Sequence, residues 1–178
     1  MTDTPLIRSL KEVCRFLDDT GIEYMLVGGL AVGIWATPRA TVDLAFLVAI
    51  KKEDYPVLIQ RLEQSGKFMY IHKQPMVFQK TSFLRAMFKE NADVSVDFLL
   101  IDDAFKAHAL SRKVSARLTD FSVNVATAED LILLKLLSGR EQDKLDAVHV
   151  HEANKESLDL DYLSKWSKNL GVTLALRK

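Results

Sequence analysis

The chain opens on an apolar stripe. Leu6, Leu10, Val13, Cys14 and Leu17 recur at helical spacing behind Thr4, a capping residue, and Pro5, a first-turn proline. The stripe stops at Thr20-Gly21, and the period changes. Residues 24–27 form a short apolar strand, Gly28-Gly29 a turn, residues 30–35 a helix of small side chains, and residues 42–48 a second strand. Helical spacing returns over residues 51–65, where Pro56 is tolerable only near the start and Ser65-Gly66 marks the end. Residues 68–72, 76–79, 83–88 and 94–100 then read as strands separated by turn residues. Asp102-Asp103 opens a short helix that runs through Leu110. Residues 114–118 and 121–125 alternate around Thr119-Asp120 as a hairpin would. Beyond Thr127 the chain is helical. Thr127 and Asp130 have capping-box spacing, residues 131–137 are apolar on almost every face, which predicts burial, and residues 140–152 and 158–170 form two more helices.

Composition narrows this picture little. The 178 residues suit one domain with a helical appendage, and 48% hydrophobic content is ample for a core. Twenty-four basic and 24 acidic residues cancel, which gives no electrostatic prior for nucleic acid or an anionic membrane. Cys14 is the one cysteine, so no disulfide forms within the chain, and its place on the first stripe predicts a buried thiol. No run reaches the length of a membrane-spanning helix and the start lacks a secretory pattern, so the expectation is a cytoplasmic protein with no membrane partner.

The candidate chemistry lies in carboxylates on strands. Asp43 stands between Val42 and Leu44, and Asp97 between Val96 and Phe98, so each faces the side opposite its apolar neighbours. Acids at i and i+2 on a strand share a face about 6.5–7 Å apart. With a third acid from a neighbouring strand they can bracket two divalent ions about 3.5–4 Å apart, the arrangement that phosphoryl-type transfer uses.

Two stretches carry a resemblance. GGLAVGIWATPRATVDLAFLV resembles the Gly-Gly, helix, Arg-x-Thr-x-Asp-x-Asp signature of the minimal nucleotidyltransferases of the DNA polymerase beta superfamily. ATAEDLILLKLLSGREQDKLD resembles the helical segment of the abortive-infection toxin-type, AbiEii-like, members. Together they place the resemblance over residues 24–150. It implies a nucleotidyltransferase-type α/β fold, with a mixed, largely antiparallel sheet of about five to seven strands flanked by helices. A core over residues 1–126 would carry a packed C-terminal helical segment over 127–178. It implies transfer of a nucleoside monophosphate from an NTP, with Mg²⁺, to a hydroxyl of a protein, an RNA or a small molecule. Gly28 and Gly29 would approach the phosphates, Asp43 and Asp97 would hold metal and act catalytically, and Lys135 would contact phosphate. Arg39 and Thr41 match the nucleotide-binding pattern, and Arg140, Asp143 and Asp146 match the residues after the lysine.

One position departs from the pattern: Ala45 stands where the second Asp belongs. Alanine binds no metal and accepts no proton, and Glu53 and Asp54 lie past the strand. The readings left open are a single ion on Asp43 and Asp97, nucleotide or partner-protein binding without chemistry, and a substitution that inactivates an enzyme.

Plainer readings stand beside these. Gly28-Gly29 serves equally to let a helix pack close to a strand. Lys135 reads either as a lysine whose head reaches the surface from among leucines or as a charge aimed at phosphate. Asp143 and Asp146 read as a solvated face paired with Lys144 or Arg140. His149 and His151 diverge by about 200° on a helix and cannot grip one ion.

Overall fold

The computed structural model describes residues 4–118 and 120–173. Helix α1 (Pro5–Asp19) starts where Thr4 accepts the Ile7 amide at 3.3 Å. Strand β1 (Tyr24–Val27) and helix α2 (Gly28–Trp35) follow. Then come β2 (Leu44–Lys51), a single 3₁₀ turn, and α3 (Tyr55–Ser65), with Pro56 in its first turn and left-handed Gly66 beyond its end. The β-rich middle holds β3 (Phe68–Met69), β4 (Met76–Phe78), β5 (Thr81–Phe88) and β6 (Asn91–Ile101). Helix α4 (Ala104–Ser111) leads to the hairpin of β7 (Val114–Leu118) and β8 (Phe121–Val125), whose turn residue Thr119 lies outside the described residues. Helices α5 (Ala128–Ser138), α6 (Glu141–Asn154) and α7 (Leu160–Leu170) complete the chain.

All eight strands join one sheet in the order β3-β5-β6-β2-β1-β8-β7, with β4 added on β5. That exceeds the expected five to seven, because every short β-rich segment found a partner. The sheet is mixed. β1 with β8 and β2 with β6 run parallel, and the other pairs run antiparallel. Strand β2 begins at Leu44, so Asp43 sits just ahead of it rather than within it.

The period-two alternation of the strands gives the sheet two unlike faces. Leu44, Phe46 and Val48 of β2 and Val96, Phe98 and Leu100 of β6 are buried on one face. There Phe98 meets Phe46 and Phe68, and Phe68 meets Phe16 of α1, with ring centroids 5.1–6.4 Å apart. Cys14 belongs to this core, and burial pushes its thiol up to about 12, as for an inert packing residue. The other face carries Ala45, Arg85, Asp97 and Leu99, which are only partly buried. The apolar α5 lies over this face, fixed at its start by Thr127, which accepts the Asp130 amide at 3.2 Å. One cluster of buried residues draws on elements from α1 to α7. Among the described residues no helix is long and apolar enough to cross a membrane.

Candidate functional site

A cleft of about 330 Å³ opens between the partly buried sheet face and α5. The strand register explains what lines it. Val27 pairs with Ala45, Ala45 with Asp97, and Asp97 with Arg85, so four strands present one row of side chains across the sheet. Gly28 stands at the end of β1 with φ +73°, and a Cβ there would come within 2.9 Å of the Ala45 Cβ. The left-handed bend and the close approach both require glycine at this position. Gly29 is the next residue, and a Cβ on it would meet Thr41 Oγ1 at 2.9 Å. The double glycine therefore lets α2 start against the second strand and its entry loop.

Of the two candidate acids, Asp97 lines the cleft, and Asp43, just ahead of β2, is tied to β6 by a hydrogen bond. Ser95, two residues before Asp97, donates its hydroxyl to Asp43 Oδ1 at 2.6 Å. Arg85 closes a two-point fork on Asp97, Nε to Oδ1 at 2.6 Å and Nη2 to Oδ2 at 2.7 Å. Its pairing with Asp97, aided by the charges of Asp97 and Asp43, holds the guanidinium pKa above its usual value. Ala45 sits between these groups with a methyl.

The helical side of the cleft carries a second ionic group. The Lys135 ammonium is buried and donates to Asp143 Oδ1 at 2.6 Å and Asp146 Oδ2 at 2.8 Å. Arg39 forks onto Asp146 at 2.9 and 2.8 Å, and Gln142 adds a bond at 3.1 Å. Ser138 and Arg140 both donate to Asp143 Oδ2. Burial would raise both carboxyls. Hydrogen bonds from Arg39 and Lys135 outweigh it at Asp146 and hold that group at about 2, while the charge and hydrogen bonds of Lys135 lower Asp143. One expectation is corrected here, and one of two open readings falls. Asp143 and Asp146 are not a solvated face: α6 turns them under α5, at 2% and 0% exposure. Nor does Lys135 reach the surface; its head is taken by the two acids.

Of the residues expected to act together, Gly28, Asp97 and Lys135 line the cleft with Ala45, Arg140 and Asp143. Gly29, Arg39, Thr41 and Asp43 are not part of that lining: Arg39 is committed to Asp146, and the Thr41 hydroxyl donates to the Asp43 carbonyl at 3.4 Å. The strand pattern did not single out Arg85 or the apolar wall of Met76, Phe78, Phe83, Leu131 and Leu134. The one available signal for Arg85 was its shared parity with Phe83 and Met87. The donor set does not fit a two-ion cage. Position 45 has no side-chain oxygen, both Asp97 oxygens accept from Arg85, and among the described residues no group of three His, Cys, Asp or Glu side chains could hold an ion.

Comparison with known proteins adds the scaffold. No protein-family model matches the chain, and no curated protein matches it. Solved structures do. The antibiotic-resistance factor ANT(2'')-Ia superposes at TM-score 0.63 with 14% identity, over 96% of this chain and 93% of that one. The lincosamide antibiotic adenylyltransferase LnuA, with lincomycin bound, superposes at 0.54 with 15% identity, over 82% and 96%. A putative nucleotidyltransferase from Thermotoga maritima superposes at 0.51 with 12% identity, over 92% of each chain. The fold is that of the nucleotidyltransferases. The row that runs from Val27 through Ala45 to Asp97 starts beside the first glycine turn.

Proposed function

We propose that this chain binds a nucleoside triphosphate in the cleft between β2, β5, β6 and α5, and that Ala45 impairs transfer of the nucleoside monophosphate. The observation that carries this is the position of Ala45, directly between the Gly28 bend and Asp97 in the row of side chains that faces α5. The cleft offers the Gly28 turn, the cations Arg85, Lys135 and Arg140, and an apolar wall able to take a base. The amides at the start of α2 add donors of the kind that phosphates accept. The superposed proteins include an adenylyltransferase with lincomycin bound and ANT(2'')-Ia in complex with adenylyl-2''-tobramycin. They support a small hydroxyl-bearing molecule as acceptor beside the protein or RNA implied by the toxin-like resemblance.

Calorimetry with ATP, CTP, GTP and UTP, with and without Mg²⁺, tests the reading when run beside an assay for nucleotidyl products. Binding without turnover is the expected result. Robust turnover by the unaltered chain would overturn the impairment, and failure of all four nucleotides to bind would overturn the ligand. A second reading, residual transfer, is favoured by the Ser95 hydroxyl that holds Asp43 beside β6, two residues from Asp97. It expects slow product formation that Asp43→Asn abolishes.

A further inference from the structure

One charge in the cleft, Arg85, has no place in the sequence signature. Arg85 of β5 stands opposite Asp97 of β6, which stands opposite Ala45 of β2, so three adjacent strands present a guanidinium, a carboxylate and a methyl in line. The fork at 2.6 and 2.7 Å is the planar arrangement that makes guanidinium–carboxylate pairs strong and directional. The Phe83 ring lies 5.7 Å from the guanidinium carbon and supports it. Asp43 adds a second negative charge within electrostatic reach of Arg85.

From this row we infer that Arg85 is the resident cation of the cleft, occupying Asp97 where a divalent ion would need that carboxylate, so that the site takes its polyphosphate ligand without a metal. The ligand named here rests on the nucleotide reading above, but the exclusion of metal does not. Mg²⁺ demands near-octahedral oxygen ligands at about 2.0–2.1 Å and is held through one or two carboxylates plus phosphate oxygens. Both Asp97 oxygens already accept from Arg85, so an ion bound there would share them with a guanidinium that repels it. The charge count points the same way. With alanine at position 45, Asp43 and Asp97 face one guanidinium, and a dication added to them would leave the site net positive. An acid at position 45 would restore the anionic charge that an ion requires. Among the described hydrogen bonds Arg85 uses Nε and Nη2, which leaves Nη1 to donate to a phosphate oxygen.

The test uses the full chain and Mn²⁺ as a paramagnetic probe. Mn²⁺ is titrated into the unaltered protein, Asp97→Asn, Arg85→Gln, and the double variant Ala45→Asp/Arg85→Gln, with circular dichroism as the fold check. The unaltered chain should bind Mn²⁺ no more tightly than Asp97→Asn, and the double variant about tenfold more tightly or better, the ratio that 1.4 kcal/mol of relieved repulsion and added carboxylate charge gives. Mn²⁺ binding by the unaltered chain that Asp97→Asn removes would overturn the inference. So would equal Mn²⁺ affinity in the unaltered and doubly substituted proteins. If Arg85→Gln fails to fold, Arg85→Lys/Ala45→Asp is read instead: it keeps the charge and should bind Mn²⁺ more weakly than Ala45→Asp/Arg85→Met. Calorimetry with ATP in EDTA and in Mg²⁺ separates this inference from the reading beneath it. Equal affinity in both supports Arg85 as the cation. Binding only with Mg²⁺ overturns Arg85 and leaves the nucleotide reading in place. No binding in either removes the nucleotide reading, while the Mn²⁺ series still decides on Arg85.

Discussion

The cleft has two acidic walls, and they are built on opposite principles. On the strand wall, Asp43 is exposed and Asp97 half-buried, and each leans on one donor, Ser95 and Arg85 respectively. On the helical wall, Asp143 and Asp146 are buried and share Lys135, while Arg39, Gln142, Ser138 and Arg140 fill their remaining oxygens. Water can replace a partner lost from the strand wall, so a carboxylate can be absent there, as at Ala45, without leaving a buried charge unpaired. No such freedom exists on the helical wall, where every acid answers a buried or half-buried cation. The difference separates positions that serve chemistry from positions that hold the wall in place.

The strongest way to break this contrast is to remove an acid from the helical wall. Asp146→Ala strands the buried Lys135 ammonium with one partner and frees Arg39, which should cost about 3–5 kcal/mol. Urea unfolding reads it directly. A loss below about 1 kcal/mol would mean that the buried network is no more committed than the strand wall.

Acid titration sharpens the same point. Asp146 is held at about 2 against an ordinary 3.8, and Asp143 is also depressed. A depressed carboxyl stabilises the fold fully above its unfolded value, and this contribution is lost as pH falls through the folded one. Stability should therefore drop between about pH 4 and pH 2, with Asp146 supplying about 1–2 kcal/mol of the loss. Thermal unfolding across that range, for the unaltered chain and Asp146→Asn, checks it. Identical pH slopes in the two proteins would remove Asp146 as the source.

How much of this was legible in the sequence follows from how far each contact reaches along the chain. Helix and strand identities came from local period, and the alternation of its apolar neighbours put Asp97 on the side opposite Val96 and Phe98. Ala45 was visible as a gap in a short pattern. Arg85 was not, because its meeting with Asp97 depends on the register of β5 against β6, which residue spacing leaves open. The helical wall was misread for a related reason. Asp143 and Asp146 share a face of α6, but spacing does not say whether that face meets solvent or α5, and α6 has little apolar stripe to orient it. The strand count differs for a like reason: residues 68–72 and 76–79 read as strands, but that such short pieces, two residues in β3 and three in β4, join the sheet depends on their pairing with β5.

On the strand wall the largest expected effect comes from backbone rather than charge. Gly28→Ala places a Cβ at φ +73° and 2.9 Å from the Ala45 Cβ. The left-handed conformation alone costs about 1–2 kcal/mol, and the contact must be relieved by moving β1 or β2. Denaturant unfolding should register that loss, while Gly21→Ala, at φ +65° with nothing within 4 Å, should show the conformational part alone. Equal losses at the two glycines would mean that the close approach to residue 45 is not a constraint.

The smallest effect is the control that gives the contrast its meaning. Lys144 and Glu141 form an ion pair three residues apart on α6, the same helix that carries Asp143 and Asp146, but their side chains are 52% and 87% exposed. Solvent screens such a pair and ordering two long side chains offsets most of its attraction, so Lys144→Ala should change stability by about 0.5 kcal/mol or less. The same unfolding titration that reports Asp146→Ala reports this one. Both changes delete a charge from one helix within a single turn; what differs is whether water can reach the partner left behind. A Lys144→Ala loss approaching that of Asp146→Ala would locate the sensitivity in α6 as a helix, not in the buried network, and the distinction between the two walls would lose its physical basis.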